Sequence, residues 1–152
     1  MATKPFDPNL LRENDKKARN WVRSVLPEGY TAVDNPDKYG VDLLIYKNGE
    51  HIFNIEPEVK KVWKAPEEFP WKDVQIPIRK SKMAHLDKPT LFFIFRNDGE
   101  KYFCVWDRVM NCAEIKMVPN KYVRSGELFF CVRLKDMDTD INKALRREWK
   151  HK

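Results

Sequence analysis

The chain has 152 residues, of which 42% are hydrophobic and 34% charged, with five Trp and nine Phe. That composition belongs to a folded globular domain and excludes a disordered or low-complexity chain, and one domain of this length buries roughly 70% of its unfolded surface, so residues 1–152 read as a single domain. Twenty-nine Lys and Arg against 23 Asp and Glu leave a net charge of +6, a surplus that favours polyanionic partners.

In chain order, Asp7-Pro8 reads as an N-cap followed by proline at the first helical position, and apolar residues recur at Leu11, Ala18, Trp21, Val22 and Val25. A helix is predicted from about Pro8 to Leu26, ended by Pro27 and Gly29. The loop Asn35 to Gly40 leads into a strand over Val41 to Tyr46, and Asn48-Gly49 signals a hairpin into a second strand, His51 to Lys60. In that second strand Asn54, Glu56, Glu58 and Lys60 share one face, because side chains alternate with period two.

Residues 61 to 73 carry Trp63, Pro66, Pro70 and Trp71 and read as an ordered connecting loop. Val74, Ile76 and Ile78 suggest an edge strand, since Pro77 has no N–H to donate, and the basic segment Arg79 to Leu86 follows. Leu91 to Phe95 is a continuous apolar run and the candidate for the centre of the sheet. Lys101 to Trp106 and Glu127 to Leu134 are further strands. A last helix, capped by Asp138 or Thr139, places Ile141, Leu145 and Trp149 on one side. The fold class expected is α/β (α+β): a mixed central sheet flanked by helices, with a C-terminal β extension and a final helix.

Asp42 enters one strand of the hairpin, and Glu58-Val59-Lys60 lies on the next. On those residues the chain resembles the PD-(D/E)XK nuclease superfamily, in which an aspartate and an acid-x-lysine pair converge at one end of a mixed sheet. The resemblance covers roughly residues 8 to 96, and its weight comes from placement on a hairpin more than from the letters. It implies a restriction-endonuclease-like core and a metal-dependent endonuclease acting on DNA, of the size found among phage and mobile-element enzymes. It also implies Mg2+, with Mn2+ able to substitute, bound by Asp42, Glu58 and the Val59 carbonyl, and Lys60 as the cationic catalytic group. Hard oxygen ligands suit magnesium, and a bound divalent cation activates water and neutralises charge on a phosphoryl group.

Alternatives stand beside this assignment. Val41, not proline, precedes Asp42, and Pro36-Asp37 competes with it; Asp42 is preferred because it enters an apolar strand. Glu56 is an alternative ligand on the face of Glu58, which is preferred because only Glu58 supplies the lysine. Register is the sharper difficulty. A two-residue Asn48-Gly49 turn followed by regular pairing leaves Asp42 on the face opposite Glu58, so a three-residue loop or a bulge at Pro57 is required.

Gln75, Arg79, Lys80 and Lys82 are candidate phosphate contacts, as are Arg146 and Arg147, which lie with Lys143 and Lys150 on the polar side of the last helix. Glu13 on the first helix is a further candidate near the metal. His51, His85 and His151 lack metal-ligand spacing, the five glycines form no phosphate-binding loop, and Ser24, Ser81 and Ser125 lack a nucleophile context. Cys104, Cys112 and Cys131 show no CxxC spacing, which suits a reducing compartment. With no long apolar run and no apolar leader, a soluble, cytoplasmic protein is expected, in host cytoplasm if phage-encoded. Cutting both strands of a duplex needs two sites or sequential action, so a homodimer is expected, with exposed apolar groups of residues 101 to 134 as its interface. The competing function is a nuclease fold retained as a nucleic-acid-binding or interaction module without turnover.

Overall fold

The computed structural model of the chain describes residues 8–37, 40–84, 86–120 and 123–150, and the side chains of 15–37, 40–83, 86–119 and 126–147. Helix α1 spans Pro8–Val25 and buries Ala18 and Val22. Its Trp21 ring packs 5.5 Å from Phe95 and covers Gly99, whose φ is +75°. A Cβ on Gly99 would fall 2.3 Å from the indole, so the close approach and the left-handed backbone both require glycine.

Strands β1 (Tyr30–Asp34), β2 (Leu43–Lys47) and β3 (Glu50–Val59) follow as an antiparallel meander. After the loop comes β4 (Asp73–Pro77), then a 3-10 helix (Ile78–Ala84), β5 (Thr90–Phe95) and β6 (Tyr102–Trp106). The short helix α2 (Asp107–Met110), strands β7 (Glu114–Asn120) and β8 (Val123–Arg133), and helix α3 (Ile141–Lys150) complete the described elements.

Two sheets result. The first has the order β1-β2-β3-β5-β6, with β3 and β5 parallel and its other neighbours antiparallel. The second is the antiparallel sheet β4-β8-β7. The chain is therefore a mixed α+β fold. The centre of the five-stranded sheet is β3; β5 lies beside it and is buried along its whole length, as its unbroken apolar run requires.

Each face of the first sheet has its own core. On one face Leu43, Ile45, Phe53, Ile55, Phe93 and Trp106 pack against Val22 of α1 and Ile141, Ala144 and Leu145 of α3. On the other, Phe92, Ile94 and Val105 pack against Val74, Ile76, Phe130 and Val132 of the second sheet. Helices α1 and α3 thus cover one face, and the β extension folds back as the cover of the second, with Met110 of α2 in that core.

The loop after β3 is ordered by its aromatics, with Trp63 buried and stacked on Phe103 at 4.9 Å. Strand β4 is an edge strand, as Pro77 requires. Helix α3 is capped one or two residues later than expected: the Asp140 carboxylate accepts the Asn142 N–H at 2.9 Å, while Asp138 bonds Arg147 and bridges β6 through Cys104. All three cysteines are free thiols. Among the described residues no helix is long and apolar enough to cross a membrane.

Candidate functional site

The β2–β3 hairpin decides which charged groups meet. Asn48 and Gly49 have φ of +52° and +78°, the left-handed pair of a two-residue turn, and Tyr46 pairs with His51. Regular pairing from there would separate Asp42 from the acidic face of β3. The next pair, however, is Ile45 with Phe53, so Ile52 is an extra residue, a β-bulge that shifts the register by one. Leu44 then faces Asn54 and Leu43 faces Ile55, which carries Asp42 opposite Glu56. The correction lies at Ile52; Pro57 sits in regular register with Phe93.

Asp42 is pinned through its backbone. Its N–H donates to Glu56 Oε1 at 3.0 Å, its carbonyl accepts the Asn35 N–H at 3.0 Å, and the Asn35 side chain holds the Val41 carbonyl at 2.9 Å. Asp37, the competing aspartate, is exposed in the preceding turn.

Glu56 is only 5% exposed, and its second oxygen accepts a hydrogen bond from Lys80 Nζ at 2.7 Å. Lys80 comes from the 3-10 helix that follows β4, so the second sheet delivers this cation to the first. Burial alone would lower the Lys80 pKa, but the charge and hydrogen bond of Glu56, with Glu58 and Asp42 nearby, outweigh it and raise the pKa.

The carboxyl of Asp42 is pushed up to about 6 by burial and by the like charges of Glu56 and Asp15, against the pull of Lys80 and Arg19. Asp15 belongs to α1, and burial raises its carboxyl too, opposed by Arg19 and Lys80. Negative charge has been gathered at one end of the first sheet, with Lys80 as its closest compensation.

Glu58 and Lys60 form a second, adjacent pair. Lys60 Nζ lies 3.5 Å from Glu58 Oε1 and donates to the Gln75 carbonyl at 2.9 Å, so this lysine ties β3 to β4. Glu58 keeps 33% of its side chain exposed, and Val59 pairs with Phe95 at the end of β3. The structure therefore brings Asp42 together with Glu56 and Lys80, and sets Glu58 and Lys60 beside them.

Of the other candidates, Arg79 pairs with Glu127 at 2.7 Å near the site, and Lys82 is exposed on the same 3-10 helix. Arg146 and Arg147 belong to α3, which packs on the opposite face of the sheet. There α3 meets β6 and α2, with Trp106 Nε1 on the Ala144 carbonyl and Arg108 on the Arg147 carbonyl. The side chains of Glu13, Trp149 and Lys150, together with His85 and His151, lie outside the described residues.

Asp15 escaped the sequence reading although a signal existed: it falls on the helical stripe of Ala18 and Val22, where an acid stands out among core positions. Lys80 entered it only as a phosphate contact, because nothing in local spacing brings the 3-10 helix to β3. Among the described residues no three His, Cys, Asp or Glu side chains are grouped to hold a metal. No protein-family model, no curated protein and no solved structure matches the chain.

Proposed function

We propose that the protein is a magnesium-dependent endonuclease that hydrolyses phosphodiester bonds in DNA, centred on Asp42 and Glu56 with Glu58 and the cations Lys80 and Lys60 beside them. The observation that carries this reading is the meeting of Asp42 and Glu56 across the β2–β3 pair, with Lys80 on Glu56. An aspartate opening one strand and a glutamate on the next, converging at one end of a mixed sheet, is also what the PD-(D/E)XK resemblance implies. The positive net charge suits a DNA partner, and the free thiols suit an intracellular compartment.

The residues fit a hard divalent cation. Magnesium is ordinarily held by one or two carboxylates plus waters, and like charge crowding Asp42 is relieved by a cation placed there. Asp42 and Glu56 would hold it, with Glu58 within reach of the same end of β3. When bound, such a cation supplies an activated water and charge neutralisation on the phosphoryl oxygens. Lys80 neutralises Glu56, and Arg79 and Lys82 add positive charge where the DNA backbone would pass.

One observation favours a second reading, a nucleic-acid-binding module without turnover: both Glu56 oxygens are already engaged, one by the Asp42 N–H and one by Lys80. Incubation with supercoiled, linear and branched DNA in magnesium, manganese or chelator separates the two. The nuclease reading expects cleavage that needs the cation and is lost in Asp42→Asn. Binding without cleavage in every cation, with affinity falling steeply in salt, selects the module.

A further inference from the structure

The second sheet ends in an open edge. Strand β7 has β8 on one side and no strand among the described residues on the other. Along this edge Ile115 and Met117 are 48% and 55% exposed, and Leu128, the cross-strand partner of Met117, is 38% exposed. These side chains share a face with Phe130 and Val132, so the apolar surface that covers the core continues outward past the point where the core ends. An open edge beside an exposed apolar face is a template for another strand.

We propose that the occupant is a second copy of this chain, with β7 pairing antiparallel to β7 of its partner about a two-fold axis at Ile115. The strand's charges select this register. With Ile115 opposite itself, Glu114 faces Lys116 of the second copy and Lys116 faces its Glu114, two ion pairs generated by the symmetry. Glu114 and Lys116 already lie on one face, 3.8 Å apart and both exposed. A register centred on Lys116 sets that cation against itself. One centred on Met117 brings Pro119, which has no N–H, into the ladder opposite Ile115. Centring on Ile115 pairs Glu114 to Lys116 within the strand, ends the ladder where the turn at Cys112 and Ala113 begins, and leaves Pro119 outside. The result is a continuous sheet of both copies, with Ile115, Met117 and Leu128 of each meeting at the axis.

This dimer stands independently of the nuclease reading, because its test measures assembly and not cleavage. Sedimentation equilibrium on the full chain should show a reversible dimer. Glu114→Lys and Lys116→Glu should each weaken it by about ten-fold or more, since each sets like charges face to face twice, and the double swap should restore it. The axis residue provides a second arm: Ile115 faces its own copy, so Ile115→Cys in a Cys112→Ser background should form an intermolecular disulfide under diamide. A wild-type chain that stays monomeric at sub-millimolar concentration, a dimer indifferent to both charge reversals, or a well-folded Ile115→Cys variant that does not cross-link would each overturn the proposal.

Discussion

Glu56 and Glu58 stand two residues apart on one face of one strand, yet the fold treats them differently. Glu56 lies opposite Asp42 and is almost wholly buried, holding a backbone N–H with one oxygen and Lys80 with the other. Glu58 is one-third exposed and shares Lys60 with the Gln75 carbonyl. The sequence motif favours Glu58, because a lysine follows it at the right spacing. The register favours Glu56, because the bulge at Ile52 puts Asp42 opposite it. A motif of three letters names the residue types; strand pairing decides which of them meet.

The largest effects should come from breaking the buried pair. Lys80→Met strands the Glu56 charge in a site with little water and should cost about 3 kcal/mol or more, read from urea unfolding at neutral pH. Lys60→Met, beside a more exposed acid, should cost no more than about 1 kcal/mol. Similar losses for the two would erase the distinction. On the proposed activity, Asp42→Asn and Glu56→Gln should each lower cleavage about 100-fold or more, with Glu58→Gln well behind, measured as single-turnover rates on labelled DNA.

The pH dependence of Asp42 carries a sign that sharpens the contrast. Its carboxyl titrates near 6 in the folded chain and lower when unfolded, so the folded state holds the extra proton and loses stability as pH rises through that window. Below both values this effect vanishes. Asp42→Asn should therefore stabilise the chain by about 1–2 kcal/mol at pH 7.5, allowing for solvent screening, and by nothing at pH 3.5. Thermal melts in chelator across that range check it; an equal effect at both pH values contradicts the charge crowding described for this site.

The smallest effects concern the two faces of the first sheet. Charge reversal at Arg79 or Lys82 should weaken DNA binding and lower its salt slope by about one unit per contact. The same change at Arg146, on the helix-covered face, should leave the slope unchanged. Binding titrations across a salt series compare them directly, and an equal loss at Arg146 would extend the DNA path around the molecule.

Much of the first sheet could be read from sequence because its signals are local: the Asn48-Gly49 turn, the apolar run of β5, and Pro27 ending α1. Strand β1 carried no such signal; it is an edge strand with three of its five residues exposed. Strand β7 was hidden for the opposite reason, since Ile115 and Met117 are apolar but point to solvent and Pro119 interrupts the pattern. The second sheet pairs β4 with β8, distant in sequence, so no local period could announce it. The site was readable to the level of residue types. Asp42 and the acids of β3 stand out as charges entering apolar strands, but the bulge at Ile52 and the arrival of Lys80 depend on tertiary packing.

Cation titration calorimetry on the wild type, Glu56→Gln and Glu58→Gln tests the central claim most directly, because it reads the site without requiring the right DNA. Manganese should bind the wild type, bind Glu58→Gln with affinity reduced less than ten-fold, and fail to bind Glu56→Gln measurably. Wild-type affinity in Glu56→Gln together with lost binding in Glu58→Gln would move the centre to the exposed acid, contradicting the register-based assignment.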